Sequence, residues 1–141
     1  MTRIRVSTTI PAPRSRVWAD VRDLASHVEW MADAESIRFT SARRSGVGTT
    51  FDCETRVGPF HAVDRMEVTE WVDGKVIGVR HVGLVTGTGR FTLRRAGWLG
   101  RSTRFTWEED IGVPAVAGLV LRVVWWRNLR RLRRRFARMR S

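Results

Sequence analysis

The chain of 141 residues has one cysteine, no tyrosine and a single lysine. The lone Cys53 excludes an intrachain disulfide and any cysteine-rich metal site, a usage that fits a reducing compartment. Without tyrosine, no mechanism here can use a phenol as acid or oxyanion donor. Long apolar runs are also missing. The longest, Val113 to Leu121, falls well short of the roughly 20 residues a membrane-spanning helix needs. The opening MTRIRVSTTI alternates polar and apolar residues and lacks the apolar segment of a secretory signal. A soluble, cytoplasmic protein is the expectation.

Acidic residues are absent from one region in particular. The formal net charge is +12, yet residues 111–141 contain nine arginines and no Asp, Glu or Lys, leaving only +3 for the rest. Of the 26 basic residues only Lys75 is lysine. Arginine is the better fork for phosphate and carboxylate, although a GC-rich coding sequence would produce the same bias.

At this length the chain reads as one domain, 1–141. Ile4, Val6, Thr8 and Ile10 alternate with polar residues as a half-buried strand. PAP (11–13) ends it, with Pro13 suited to a first helical turn and Val17, Trp18 and Val21 on one helical face. Asp23 is a candidate N-cap for a second short helix that turns Leu24, Val28 and Trp30 inward. Six strands follow: ESIRFTSA, TTFDCETRV, HAVDRMEVTEW, KVIGVRHVGLV, GRFTLRR and STRFTWEEDI, separated by SGVG, GP, DG, TGTG and AGWLG. Short loops between sequential strands predict an antiparallel meander. Pro114 then opens a helix over 114–140.

Asp73-Gly74 predicts a two-residue hairpin loop. It pairs Val72 with Lys75, Glu70 with Ile77, Thr69 with Gly78, Val68 with Val79, Glu67 with Arg80, Met66 with His81, Asp64 with Gly83 and Val63 with Leu84. His81 then shares a face with Val79 and Met66, with Asp64 one diagonal step away. A buried imidazole beside a carboxylate has its pKa raised and its orientation fixed, the preparation acid/base work needs. A pair that merely satisfies itself within the sheet is the structural alternative. His27 and His61 look ordinary.

Leu121, Trp125, Leu129, Leu132, Phe136 and Met139 form a helical stripe wide enough to bury against a sheet. Arginines 127, 130, 131, 133, 134, 135 and 138 fill the remaining circumference, with Trp126 near the boundary. Those arginines are either a solvated outer face or an attraction for anionic membrane. No RNP, zinc-finger or helix-turn-helix signature accompanies them, so specific nucleic-acid binding is not expected. GVGTT lies between strands and lacks the lysine of a phosphate loop. The histidines have no metal-ligand spacing, and no cofactor is expected.

The order strand, two short helices, six-stranded meander and long C-terminal helix resembles the START-like (SRPBCC) superfamily of polyketide cyclase/dehydrase and lipid-transport-type proteins, related in fold to the Bet v 1 allergens. IPAPRSRVWADVRDLASHVEW, SGVGTTF and STRFTWEEDIGVP carry the resemblance. It implies an α+β helix-grip fold, a curved seven-stranded antiparallel sheet wrapped around the C-terminal helix with an apolar cavity between them. Phe51, Cys53, Met66, Val68, Val79, Phe91, Phe105, Trp107 and Glu109 would line that cavity from the sheet, and Leu121 and Trp125 from the helix. The resemblance implies a carrier of a hydrophobic small molecule, lipid or polyketide-like. It leaves open a cyclase, aromatase or dehydratase using His81 and Asp64, and a membrane-associated accessory protein.

Overall fold

Alternating polar and apolar residues make each strand one-sided, so the sheet needs a cover, and the apolar stripe of the last helix supplies it. The computed structural model describes residues 1–83 and 85–140, with backbone only for 139 and 140. The expected Val63–Leu84 pair and the side chain of Met139 lie outside the described residues. Seven strands form one antiparallel sheet: β1 (Thr2–Ile10), β2 (Ala34–Phe39), β3 (Thr50–Val57), β4 (Phe60–Val72), β5 (Val76–Val82), β6 (Thr86–Ala96) and β7 (Ser102–Ile111). Their order is β1-β7-β6-β5-β4-β3-β2, a meander closed on one side by the first strand. Helix α1 (Arg14–Val21) and a 3₁₀ helix (Leu24–Glu29) fill the crossover between β1 and β2, and α2 (Ala115–Arg140) runs back across the concave face. This is a helix-grip α+β fold.

Trp125, Leu129, Leu132 and Phe136 of α2 are buried in the core together with Val17, Val21 and Leu24 from the crossover. Gly118 lets α2 approach the sheet closely, since a Cβ there would lie 2.6 Å from Thr2 Cγ2. Asn128, fully buried at the centre of this face, accepts from the Ala32 amide at 2.9 Å and donates to Asp33 at 2.6 Å.

Several local expectations need correction. The 3₁₀ segment is not an α-helix, and Asp23 makes no side-chain cap. Instead the Ser26 hydroxyl donates to the carbonyls of Asp23 at 2.7 Å and Asp20 at 3.0 Å. His27 is buried there, while Val28 is only half-buried. TGTG is not a turn but the start of β6.

The β4–β5 hairpin holds the expected register at Met66–His81, Glu67–Arg80 and Val68–Val79. Nearer the turn the pairs are Glu70–Gly78, Trp71–Ile77 and Val72–Val76, not those expected. The loop holds three residues, with Gly74 at φ +79° and the Lys75 amide donating to Val72. One extra residue in β4, at a bulge between Val68 and Glu70, compensates for the longer loop. Arg135 is also not part of the solvated face. Its guanidinium grips Asp20 of α1 through two 3.0 Å bonds and reaches Glu29, tying the end of α2 to the crossover.

Candidate functional site

Aromatic side chains divide the concave face in two. Toward α1 it is solid: Trp30, fully buried, meets Phe91, Phe105 and Trp107 with ring centroids 5.9–6.1 Å away. Toward the start of α2 it is open, and a pocket of about 180 Å³ remains. Phe51, Cys53, Met66, Val79, Phe91, Trp107, Glu109, Leu121 and Trp125 line it as the sequence suggested, joined by His81 and Asp64. Val68 and Phe105 do not. Both are fully buried, and Phe105 packs against Trp30 with ring centroids 6.1 Å apart.

The polar end of the pocket is a three-residue chain. His81 Nδ1 lies 3.0 and 2.9 Å from the two oxygens of Asp64, and Nε2 lies 2.5 Å from Glu109 Oε1. Asp64 stands on β4, His81 on β5 and Glu109 on β7, so His81 and Glu109 must meet across the intervening β6. They can because β6 has no side chain there. Gly87 pairs with His81 and Gly89 with Glu109. A Cβ on Gly89 would sit 2.6 Å from Glu109 Oε1. The glycines of TGTG thus open a gap in the sheet's inner surface, which a turn-based reading of that stretch missed.

Burial alone would lower the His81 pKa, but hydrogen bonds to Asp64 and Glu109 outweigh it and push the imidazole up to about 10. Burial raises Glu109, against the opposing pull of His81. The two shifts compete for one proton on a 2.5 Å bond. We place it on His81, because Asp64 supports the imidazolium from the other side and a hydrogen bond from Trp107 favours the ionised Glu109. Both ring nitrogens are therefore occupied. A ligand would meet carboxyl oxygens rather than a free imidazole nitrogen.

The pocket also holds residues the sequence did not single out. His27, an ordinary residue by sequence, lines it and is kept neutral, since burial lowers its pKa. Its Nε2–H donates to the Val21 carbonyl at 2.8 Å. Asp33 lines the pocket beneath α2, accepting from Trp125 Nε1 at 3.3 Å and from Asn128. Period-two and α-helical patterns reveal neither residue, because His27 sits in a 3₁₀ turn with a three-residue repeat and Asp33 lies between elements. The Cys53 thiol is pushed up to about 11 by burial, which removes it as a nucleophile. Elsewhere, Glu35, Glu54 and His61 come together at the exposed β2–β4 edge, where Arg56 already pairs with Glu35. Their sequence spacing gave no sign of this grouping.

A seven-stranded sheet gripping a long helix, with a partly open interior, defines the START-like class. A START superfamily protein from Mycobacterium smegmatis superposes with TM-score 0.81 at 12% identity, covering 97% of this chain and 98% of that one. A protein from Nitrosospira multiformis gives 0.78 at 15%, covering 99% and 100%. One from Thermus thermophilus gives 0.75 at 19%, also covering 99% and 100%. The chain belongs to the polyketide cyclase / dehydrase and lipid transport family, whose model matches residues 1–140. A comparison with curated proteins found no match. Among the described residues no helix is long and apolar enough to cross a membrane.

Proposed function

We propose that the protein binds an apolar small molecule, lipid or polyketide-like, whose polar end is uncharged or cationic. The observation that carries this reading is the composition of the pocket. Apolar and aromatic side chains form most of its wall, and the carboxyl groups of Asp33, Asp64 and Glu109 are set among them. A volume of about 180 Å³ suits one ring with a short arm, since a cavity of about 150 Å³ accepts benzene.

Among the described residues no cation is left for an anionic ligand. Both His81 nitrogens are held by carboxyl groups and His27 is neutral. Arg90 reaches out to Glu70 at 2.6 Å. A fatty-acid carboxylate would enter without a partner, which is costly in a poorly solvated site. Titration calorimetry with phenethylamine, phenethyl alcohol and phenylacetate tests this. The amine and alcohol should bind at least about tenfold more tightly than the acid, roughly 1.4 kcal/mol. Preference for the acid refutes the charge selection, and binding of none of the three refutes the pocket as a ligand site.

A second reading, favoured by the Asp64–His81–Glu109 chain, is an enzyme of the cyclase or dehydratase type. Glu109 would take a proton from a ligand carbon next to a carbonyl, with His81 and Asp64 positioning it and balancing its charge. Deuterium exchange into phenylacetone in D₂O, faster than in buffer and lost in Glu109→Gln, is the expected sign. Exchange at the buffer rate leaves the binding reading alone standing.

A further inference from the structure

The buried stripe of α2 accounts for only one side of that helix. Opposite it Val116, Leu119, Val120, Val123 and Trp126 follow one another at helical spacing, and all five are exposed. Leu119 is 67% accessible and Val123 52%. Apart from the exposed Arg122 at its flank, the first half of α2 is therefore apolar on both sides, which a helix covering a sheet does not require. Along the same outer line the second half changes character. Arg127, Arg130, Arg131, Arg133 and Arg134 are all exposed, and among the described residues none of them meets a carboxylate. Arg130 lies over the Trp126 ring, 5.0 Å from its centroid, where the two halves join.

We infer that this outer face of α2 docks the protein on an anionic lipid bilayer. The bilayer presents, at adjacent depths, an apolar interior and a negatively charged headgroup layer, and the face carries the complement of each in sequence along about 15 Å of apolar ridge followed by the arginines. Trp126 sits at the join, the interfacial position an amphipathic ring favours. A second copy of the chain fits less well. An isologous pair would match its apolar halves only by leaving both arginine halves without counter-charge. The site is also placed for exchange of cargo. Leu121, on the inner side of the same turns as Leu119 and Val123, lines the pocket together with Ile111 and Val113 at the entry to α2. The docking surface itself does not depend on what the pocket binds.

Flotation of the full chain with phosphatidylcholine vesicles, with and without about a third phosphatidylglycerol, tests the assignment. Binding should appear with the anionic vesicles, weaken at high salt and be slight with pure phosphatidylcholine. Each arginine near such a surface contributes about fivefold in partitioning, so the Arg127→Gln, Arg130→Gln variant should bind roughly 25-fold more weakly. Leu119→Asp with Val123→Asp should abolish flotation while near-ultraviolet circular dichroism stays native, since neither side chain is in the core. Equal flotation with both vesicle types, or undiminished flotation of the aspartate variant, overturns the proposal. So does a wild-type dimer that the aspartate variant converts to monomer without any vesicle binding, because a second copy is then the occupant.

Discussion

Replacing Gly89 by alanine tests the polar chain without deleting any of its members. The backbone at Gly89 is in an ordinary region, so the added methyl matters only through what it meets. It would lie 2.6 Å from Glu109 Oε1 and about 3 Å from Cγ and Cδ, where 3.4 Å is an ordinary contact. The carboxyl group must retreat by roughly 0.8 Å, which can stretch its 2.5 Å bond to His81 to about 3.3 Å and weaken it. A hydrogen bond to a charged group contributes about 1.5–3 kcal/mol. The open pocket lets Glu109 move without displacing backbone and the bond is stretched rather than lost, so about 1 kcal/mol is expected, or roughly 3–4 °C in Tm for a chain of this size. Weakening the bond to one of its two partners should also lower the pH at which His81 releases its proton below about 10. Long-range ¹H–¹⁵N spectra of the imidazole follow that titration directly. Wild-type His81 should give imidazolium signals at pH 8. Its contribution to stability is complete below pH 6.5 and fades as pH rises toward 10, so the variant should lose this contribution earlier on the alkaline side. Unchanged His81 titration and unchanged Tm in Gly89→Ala would mean that the gap over β6 is not what brings the two side chains together.

Other residues give independent tests. His27 stays neutral when folded, so its contribution is present above pH 6.5 and is lost as pH falls below that value; His27→Gln, which keeps a donor near Val21, should flatten the acid limb of the stability profile in chemical denaturation. Asn128→Ala leaves the Ala32 amide and one Asp33 oxygen without their partner in a fully buried place, and should cost about 3 kcal/mol in urea unfolding. Arg135→Ala removes a two-pronged bond to Asp20 at a partly exposed site and should cost only about 1 kcal/mol, with faster amide exchange in the last turns of α2.

Much of this molecule follows from local pattern. Alternation in MTRIRVSTTI or STRFTWEEDI and the four-and-three spacing from Leu121 to Phe136 each assign an element and its buried face without reference to the others, because side-chain direction repeats with period two or 3.6. The Met66–His81 pairing was legible for a different reason. The loop and the bulge each add one residue, on opposite strands, so their errors cancel beyond Val68. The failures share a cause as well. His27 follows Leu24 at the three-residue repeat of a 3₁₀ turn, which an α-helical or period-two reading misplaces, and Asp33 lies between elements. Phe105 points inward as its parity requires, but parity does not say whether Trp30 or empty space lies above it.

The sequence alone therefore determined most of the elements, most of their inner faces and the excess of arginine at the C-terminal end, because these depend on neighbours a few residues away. Only the tertiary structure decided which half of the concave face stays open, that His81 reaches Glu109 across two glycines of a third strand, and that α2 is apolar on its outer side as well. Each of those depends on side chains far apart in sequence competing for the same volume, and no local period records the outcome.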